Sequence, residues 1–262
     1  MCLTNRRKEL KHALRTRKRV LAAWTSLSHP SITEIFTRTD VDFVGIDIEH
    51  STISLEQSRD IIATSQAGGS LCLPRIASHD MESIKRLLDS GADGIIAPMV
   101  SNVEEAQQLI DWIKFSPRGK RSFGVARAHG YGFDFQEYTS SWNDVSSFIV
   151  QIENVEGINN IDEIARLDEI DGCMAGPYDL SGSLGVPGQI DSPEVKAACQ
   201  KVIDACKAAG KACGTQIVSP TVENVTEAFE AGFTFVVLSS DVFLLWKWAE
   251  QQQALVKQVR AN

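Results

Sequence analysis

The sequence predicts a (β/α)8 barrel, the TIM-barrel architecture. Three observations point there. Short apolar runs of strand length alternate along the whole chain with amphipathic helical stretches. Glycines recur where helices give way to strands, and the length of 262 residues is close to the roughly 250 typical of one such barrel. A single domain over residues 1–262 is expected, with a doubly wound open sheet as the alternative that the same alternation allows.

The chain opens on a helix. Leu3, Leu10 and Leu14 recur at helical spacing inside a basic cluster of Arg6, Arg7, Lys8, Lys11, Arg15, Arg17, Lys18 and Arg19, relieved only by Glu9. This reads as an amphipathic helix with a solvated charged face preceding the barrel; a transit peptide is the alternative. Strands are expected at Val20–Ser26, Phe43–Ile48, Leu71–Ile76, Gly94–Pro98, Phe148–Glu153, Gly172–Gly176, Ala212–Gln216 and Phe235–Ser239. Helices follow at Ser54–Ala67, Met81–Ser90, Asn102–Ile113, Ile161–Leu167, Ser192–Ala209, Thr221–Ala231 and from Asp241, with a short first crossover at Ile32–Thr37. Gly68, Gly91, Gly210 and Gly232 stand at helix exits, where a left-handed residue releases the chain into the next strand. The connection from Ile113 to Phe148 is too long for a simple turn, and reads as a surface or interface elaboration or as part of a site.

Composition narrows the function. A net charge of −8 excludes nucleic acid as the main partner, because a phosphate backbone is bound through clustered Lys and Arg. The longest apolar runs, such as Phe233–Leu238, fall far short of the roughly 20 residues that span a bilayer. Cys2, Cys72, Cys173, Cys199, Cys206 and Cys213 form no C-x-x-C pair and no zinc-finger spacing with His. They read as reduced, packed thiols of a cytoplasmic protein.

Barrel enzymes carry their chemistry at the C-terminal ends of the strands. There the second strand ends Asp47-Ile48-Glu49-His50, the third carries Arg75, the fifth ends Gln151-Ile152-Glu153 and the sixth runs into Gly176-Pro177-Tyr178-Asp179. Taken alone, Glu153 reads equally well as a salt-bridged structural carboxylate, and Asp179 as a helix N-cap. Together, beside an Arg and a His and with no Cys, they make a hard oxygen site suited to Mg²⁺ or Mn²⁺, with Co²⁺ or Zn²⁺ as substitutes. His50, directly after a buried strand, is placed to act as a general base. His12, His29 and His79 have weaker claims; His129 draws notice because it lies in the long connection.

The runs Phe43–His50, Leu87-Leu88-Asp89-Ser90-Gly91-Ala92, Ala97–Val100, Pro117–Arg121, Val150–Glu153 and Gly176–Ser181 closely resemble the HpcH/HpaI aldolases, in order over nearly the whole chain. The resemblance implies a phosphoenolpyruvate/pyruvate-type barrel and a metal-dependent class II aldolase that interconverts a 4-hydroxy-2-oxo acid with pyruvate and an aldehyde. It implies Glu153 and Asp179 as metal ligands, His50 as base, Asp89 as the carboxylate raising its basicity, and Arg75 as the cation facing the enolate. Gln151 and the backbone at Tyr178 would contact the pyruvate portion, and the assembly would be a homohexamer. The apolar circumference of the last helix, with Phe243, Leu244, Leu245, Trp246 and Trp248, independently points to self-association. Tyr178 is bulkier than the small residue common in relatives.

Other readings are weaker. A Schiff-base aldolase needs a Lys at a strand end in the pocket, and Lys114 and Lys211 instead follow a helix and precede a strand. Phosphate-binding isomerases need Gly-rich turns after the last two strands, and none occurs here. A citrate-lyase-like or malyl-CoA-like lyase also uses paired carboxylates, and a non-catalytic binding barrel would not need His50, Arg75, Glu153 and Asp179 at all.

Overall fold

The computed structural model describes residues 3–261, and its eight parallel strands close on themselves in sequential order. They are β1 (Val20–Thr25), β2 (Phe43–Asp47), β3 (Leu71–Arg75), β4 (Gly94–Ala97), β5 (Ser147–Ile152), β6 (Gly172–Ala175), β7 (Ala212–Ile217) and β8 (Phe235–Leu238). Each boundary falls within one residue of the expectation. Ala22 pairs with Phe43 on one side, and Val20 with Phe235 on the other, which closes the barrel. The alternation of strand residues decides the two layers: Phe43, Leu71, Leu73 and Phe235 fill the interior, whereas Cys72 packs with the helices outside.

The helices are α1 (Leu3–Arg15), α2 (Pro30–Phe36), α3 (Leu55–Gly68), α4 (Met81–Asp89), α5 (Val103–Ile113), α6 (Phe135–Val145), α7 (Val155–Ala165), α8 (Pro177–Ser183), α9 (Pro193–Ala209), α10 (Val222–Ala231) and α11 (Asp241–Ala261). Ser54, Asp80, Asn102, Asn154, Ser192 and Thr221 each accept a hydrogen bond from a backbone N–H of the first turn that follows. Such caps satisfy donors that have no intrahelical partner. All six lie on the rim where the strands end, so they fix the loops that carry the site.

Four expectations change. α7 begins at Val155 rather than Ile161, because Asn154 caps it immediately after the fifth strand. Gly69, at φ 95°, stops α3, and Gly68 remains inside the helix. The long connection is not a bare loop, since it holds a 3-10 turn at Arg127–Gly132 and then α6. Its Arg127 donates to Ser90 O and Gln66, and α6 packs on α1, so its anchors lie on the N-terminal rim, away from the strand ends. His129 is buried there, accepting from Gly132 N at 3.1 Å and lying 2.7 Å from Gly124 O, as a clamp of this segment.

The fourth change concerns α1, whose basic face is only partly solvated. Leu10 and Leu14 enter the barrel interior from below. Around them Arg7 donates to Asp93 at 2.7 Å, Lys11 to Asp171 at 3.0 Å and Arg15 to Asp171 at 2.6 Å. Both aspartates are buried at the entries of β4 and β6. Burial opposes ionisation of Asp171, yet Lys11, Lys114 and Arg15 together hold its carboxyl below the ordinary range. The helix therefore plugs the N-terminal mouth with leucines and seals it with ion pairs, which leaves the opposite mouth for ligands.

The five described cysteines are free thiols, four of them buried; Cys2 lies outside the described residues. Among the described residues no helix is long and apolar enough to cross a membrane.

Candidate active site

Arg75 is the last residue of β3, in register with Asp47, the last of β2. Its Nε and Nη2 donate to Asp47 Oδ1 at 3.2 and 2.8 Å, and its Nη1 lies 3.0 Å from Glu49 Oε2. Beneath it the Trp24 ring lies with its centroid 5.3 Å from the guanidinium carbon. Gly45 makes room for that ring: a Cβ there would meet it at 2.2 Å. The guanidinium is thus held in one plane by two carboxylates and an aromatic face. Asp47, Glu49 and Trp24 were not assigned from the sequence. The run Asp47–His50 carried the signal for two of them, but only strand register places them on Arg75.

Glu153 follows β5 and is buried. Its Oε2 accepts from Met99 N at 2.9 Å and its Oε1 from Gln151 Nε2 at 3.2 Å. Met99 adopts φ 55°, a left-handed conformation unfavourable for a side-chain-bearing residue, and so turns its N–H toward that carboxylate. Gly176 allows the chain after β6 to pass close by, since a Cβ there would sit 2.7 Å from Glu153 Oε1. Burial, reinforced by the neighbouring charges of Asp179 and Glu49, pushes Glu153 up to about 7, against the lowering by Met99 N–H and Arg75. Glu49 is raised as well, by burial first, with Arg75 and His50 opposing.

Asp179 lies in the first turn of α8, whose N-cap is Gly176, so Asp179 is not the cap. It faces the cavity with Tyr178, Gln151, Glu153 and Arg75. That cavity has a volume of about 580 Å³ and opens between the ends of β5 to β7 and the start of α11. His50 stands at its rim, outside the lining; the ring is exposed, with Nε2 3.7 Å from Glu49 Oε2.

Asp89 is the exception. It ends α4 and pairs with Arg121 at 2.8 Å, and Arg121 in turn stacks over Phe115 and Trp142. Helices return antiparallel to the strands, so the last residue of α4 belongs to the N-terminal rim. Within one chain its partner is Arg121 and not His50.

Residues 21–247 match the HpcH/HpaI aldolase/citrate lyase family. The chain belongs to that family. A hydroxypyruvate/pyruvate aldolase of Roseobacter denitrificans is 32% identical over 250 residues, covering 95% of this chain and 96% of the relative. A 5-keto-4-deoxy-D-glucarate aldolase of an Enterobacter species is 32% identical over 235 residues, covering 89% and 91%. An HpcH/HpaI aldolase/citrate lyase family protein from Burkholderia cenocepacia superposes with a TM-score of 0.89 at 28% identity, covering 95% of this chain and 99% of its own. Relatives that are aldolases, aligned nearly end to end, support a carbon–carbon lyase.

The donor set of this HpcH/HpaI member fits a divalent cation. Glu49, Glu153 and Asp179 lie close enough to act on one another, and burial first, with the neighbouring carboxylates adding, raises Glu49 and Glu153. Gln151 Oε1 is buried without a hydrogen-bond partner. Among the described residues no group of three or more His, Cys, Asp or Glu is arranged to hold a metal. A metal on Glu153 and Asp179 would therefore complete its shell with substrate and water, as hard cations commonly do.

Proposed function

We infer that the protein is a class II pyruvate aldolase, cleaving or forming a 4-hydroxy-2-oxo acid. The observation that carries this is the fixed Arg75 guanidinium in one cavity with the acidic pair Glu153 and Asp179. In this reading Glu153 and Asp179 hold Mg²⁺ or Mn²⁺, with Co²⁺ or Zn²⁺ as substitutes. Bound there, the metal supplies a Lewis acid for the carboxylate and keto oxygens of the 2-oxo acid.

The protein residues do the rest. Gln151 and the backbone at Tyr178 and Asp179 orient the pyruvate portion. His50 takes the proton of the C4 hydroxyl; the C3–C4 bond breaks, its electrons pass into the enolate, and the aldehyde leaves. Arg75 faces the enolate oxygen as its charge grows. Protonation at C3 then gives pyruvate. Asp89 can support His50 only from a neighbouring copy, because the two occupy opposite rims of one barrel. A homo-oligomer, the hexamer in this reading, is supported by α11, where Leu245, Trp246 and Trp248 are exposed and Asp241 is the one buried residue.

A Schiff-base route finds no support. Lys114 is the lysine whose burial lowers it to about 7, the range such a nucleophile needs. It follows α5 on the N-terminal rim, fully enclosed and donating to Ser146 O and Oγ at 3.0 and 2.8 Å. The test is pyruvate release from 4-hydroxy-2-oxo acids of graded length, with and without a chelator. Turnover indifferent to chelation, or none with any substrate, overturns the reading.

A further inference from the structure

We propose that the aldehyde half of the substrate is an uncharged hydroxyaldehyde, and that Asp191 at the cavity mouth selects against aldehydes carrying a second carboxylate. The inference rests on the aldolase reading and deepens it. Its ground is the charge inventory of the cavity wall. Among the described residues lining the cavity, Arg75 is the sole cation; in the aldolase reading Glu153 and Asp179 are given to the metal, which leaves Asp191 as the one acidic side chain at the mouth.

Arg75 is not free for a distal carboxylate. It sits at the floor with its three nitrogens directed to Asp47 and Glu49. The mouth is built by the segment after β7, the starts of α10 and α11, and the loop between α8 and α9 that carries Asp191. Lys196 of α9 is 3.3 Å from Asp191 Oδ1 and already paired with it. Asp191 therefore takes up the charge of Lys196, and an acceptor ending in a carboxylate would find no unpaired cation among the described lining residues.

Hydroxyl groups find the opposite. Gln216 donates its amide to Ser239 O at 3.2 Å, which fixes the side chain and leaves its carbonyl oxygen as an acceptor. Tyr178 is exposed at the same mouth and brings a phenol, Ser219 a hydroxyl, and Asp191 a carboxylate that accepts hydrogen bonds. A short polyol aldehyde can satisfy these neutral groups without bringing a charge of its own.

The experiment is aldol addition to pyruvate by the full-length protein supplied with Mn²⁺. Glycolaldehyde and D-glyceraldehyde are compared with glyoxylate, succinic semialdehyde and the unhydroxylated propanal. We expect kcat/KM for the neutral hydroxyaldehydes to exceed that for the acidic ones by about tenfold, a ratio that narrows at high salt because an exposed charge is screened. Asp191→Lys should narrow it by at least about threefold, the effect of reversing one charge at a solvated distance. Equal or greater efficiency with the acidic aldehydes, or a ratio indifferent to Asp191→Lys and to salt, overturns the selection. Propanal used as well as glyceraldehyde overturns the hydroxyl recognition. No addition to any aldehyde, together with no solvent exchange into the methyl group of pyruvate, overturns the aldolase reading and this inference with it.

Discussion

Two nitrogens of Arg75, Nε and Nη2, donate to the same oxygen of Asp47, at 3.2 and 2.8 Å. Because Asp47 also accepts from the backbone N–H of His50 at 3.1 Å, one carboxylate orients both the guanidinium and the turn that presents the imidazole. Asp47→Asn keeps the shape but loses the charge-assisted bonds, so turnover should fall about tenfold or more while the protein stays folded. Steady-state kinetics with circular dichroism measure both; unaltered kcat would mean that Asp47 does not position the site.

Arg75 itself should matter more to rate than to binding. In the proposed mechanism its charge stabilises an oxygen that becomes negative only during reaction, and removing one such donor typically costs about 10²- to 10³-fold in turnover. Arg75→Ala should lose that much in retro-aldol cleavage and in pyruvate proton exchange. Arg75→Lys should rescue poorly, since an ammonium cannot engage Asp47 and Glu49 at once while lying flat on Trp24. A rise in KM alone, with both rates preserved, would make Arg75 an anchoring residue.

Glu153→Gln and Asp179→Asn should each abolish metal-dependent turnover and weaken Mn²⁺ binding, read by calorimetry independently of activity. Chelation of the parent protein should do the same, and Mg²⁺ or Mn²⁺ should reverse it. Retention of parental Mn²⁺ affinity in either variant rules that residue out as a ligand.

Lys114 predicts a pH dependence of stability. Burial lowers it from 10.5 to about 7, with Lys11 adding and Asp171 and Glu169 opposing. Between those values the unfolded chain binds the proton that the folded protein releases, so this group's contribution to stability rises with pH from about 7 to 10.5. Lys114→Met removes the titration. The stability difference between parent and variant, from urea unfolding at pH 7 and pH 9.5, should therefore grow in the parent's favour. A difference independent of pH would show that Lys114 stays charged in the folded protein.

α11 should be covered in solution. Trp246→Glu together with Trp248→Glu should shift the assembly toward smaller species in light scattering while leaving the secondary structure intact. A parent protein that is monomeric at micromolar concentration contradicts the proposed oligomer.

The sequence by itself determined the barrel and the strand ends. Strands buried on both faces read as short apolar runs, bounded by the caps and glycines of the helices between them, so every strand boundary is a local signal. The polar residues at those ends, Arg75, Gln151, Glu153 and Asp179, were legible for the same reason: in a barrel, position along a strand fixes which mouth a side chain serves. What only the tertiary structure decided is what each of them touches. The clamp on Arg75 depends on register between β2 and β3 and on a Trp from β1, none of which a local pattern encodes. The role of α1 depends on Asp93 and Asp171, far away in the chain, which turn a seemingly solvated basic face into the seal of the lower mouth. Asp89 is the sharpest case. A motif placed it beside His50, while the antiparallel return of α4 carries it to the other rim and to Arg121, because chain direction, not motif membership, sets where a side chain ends up.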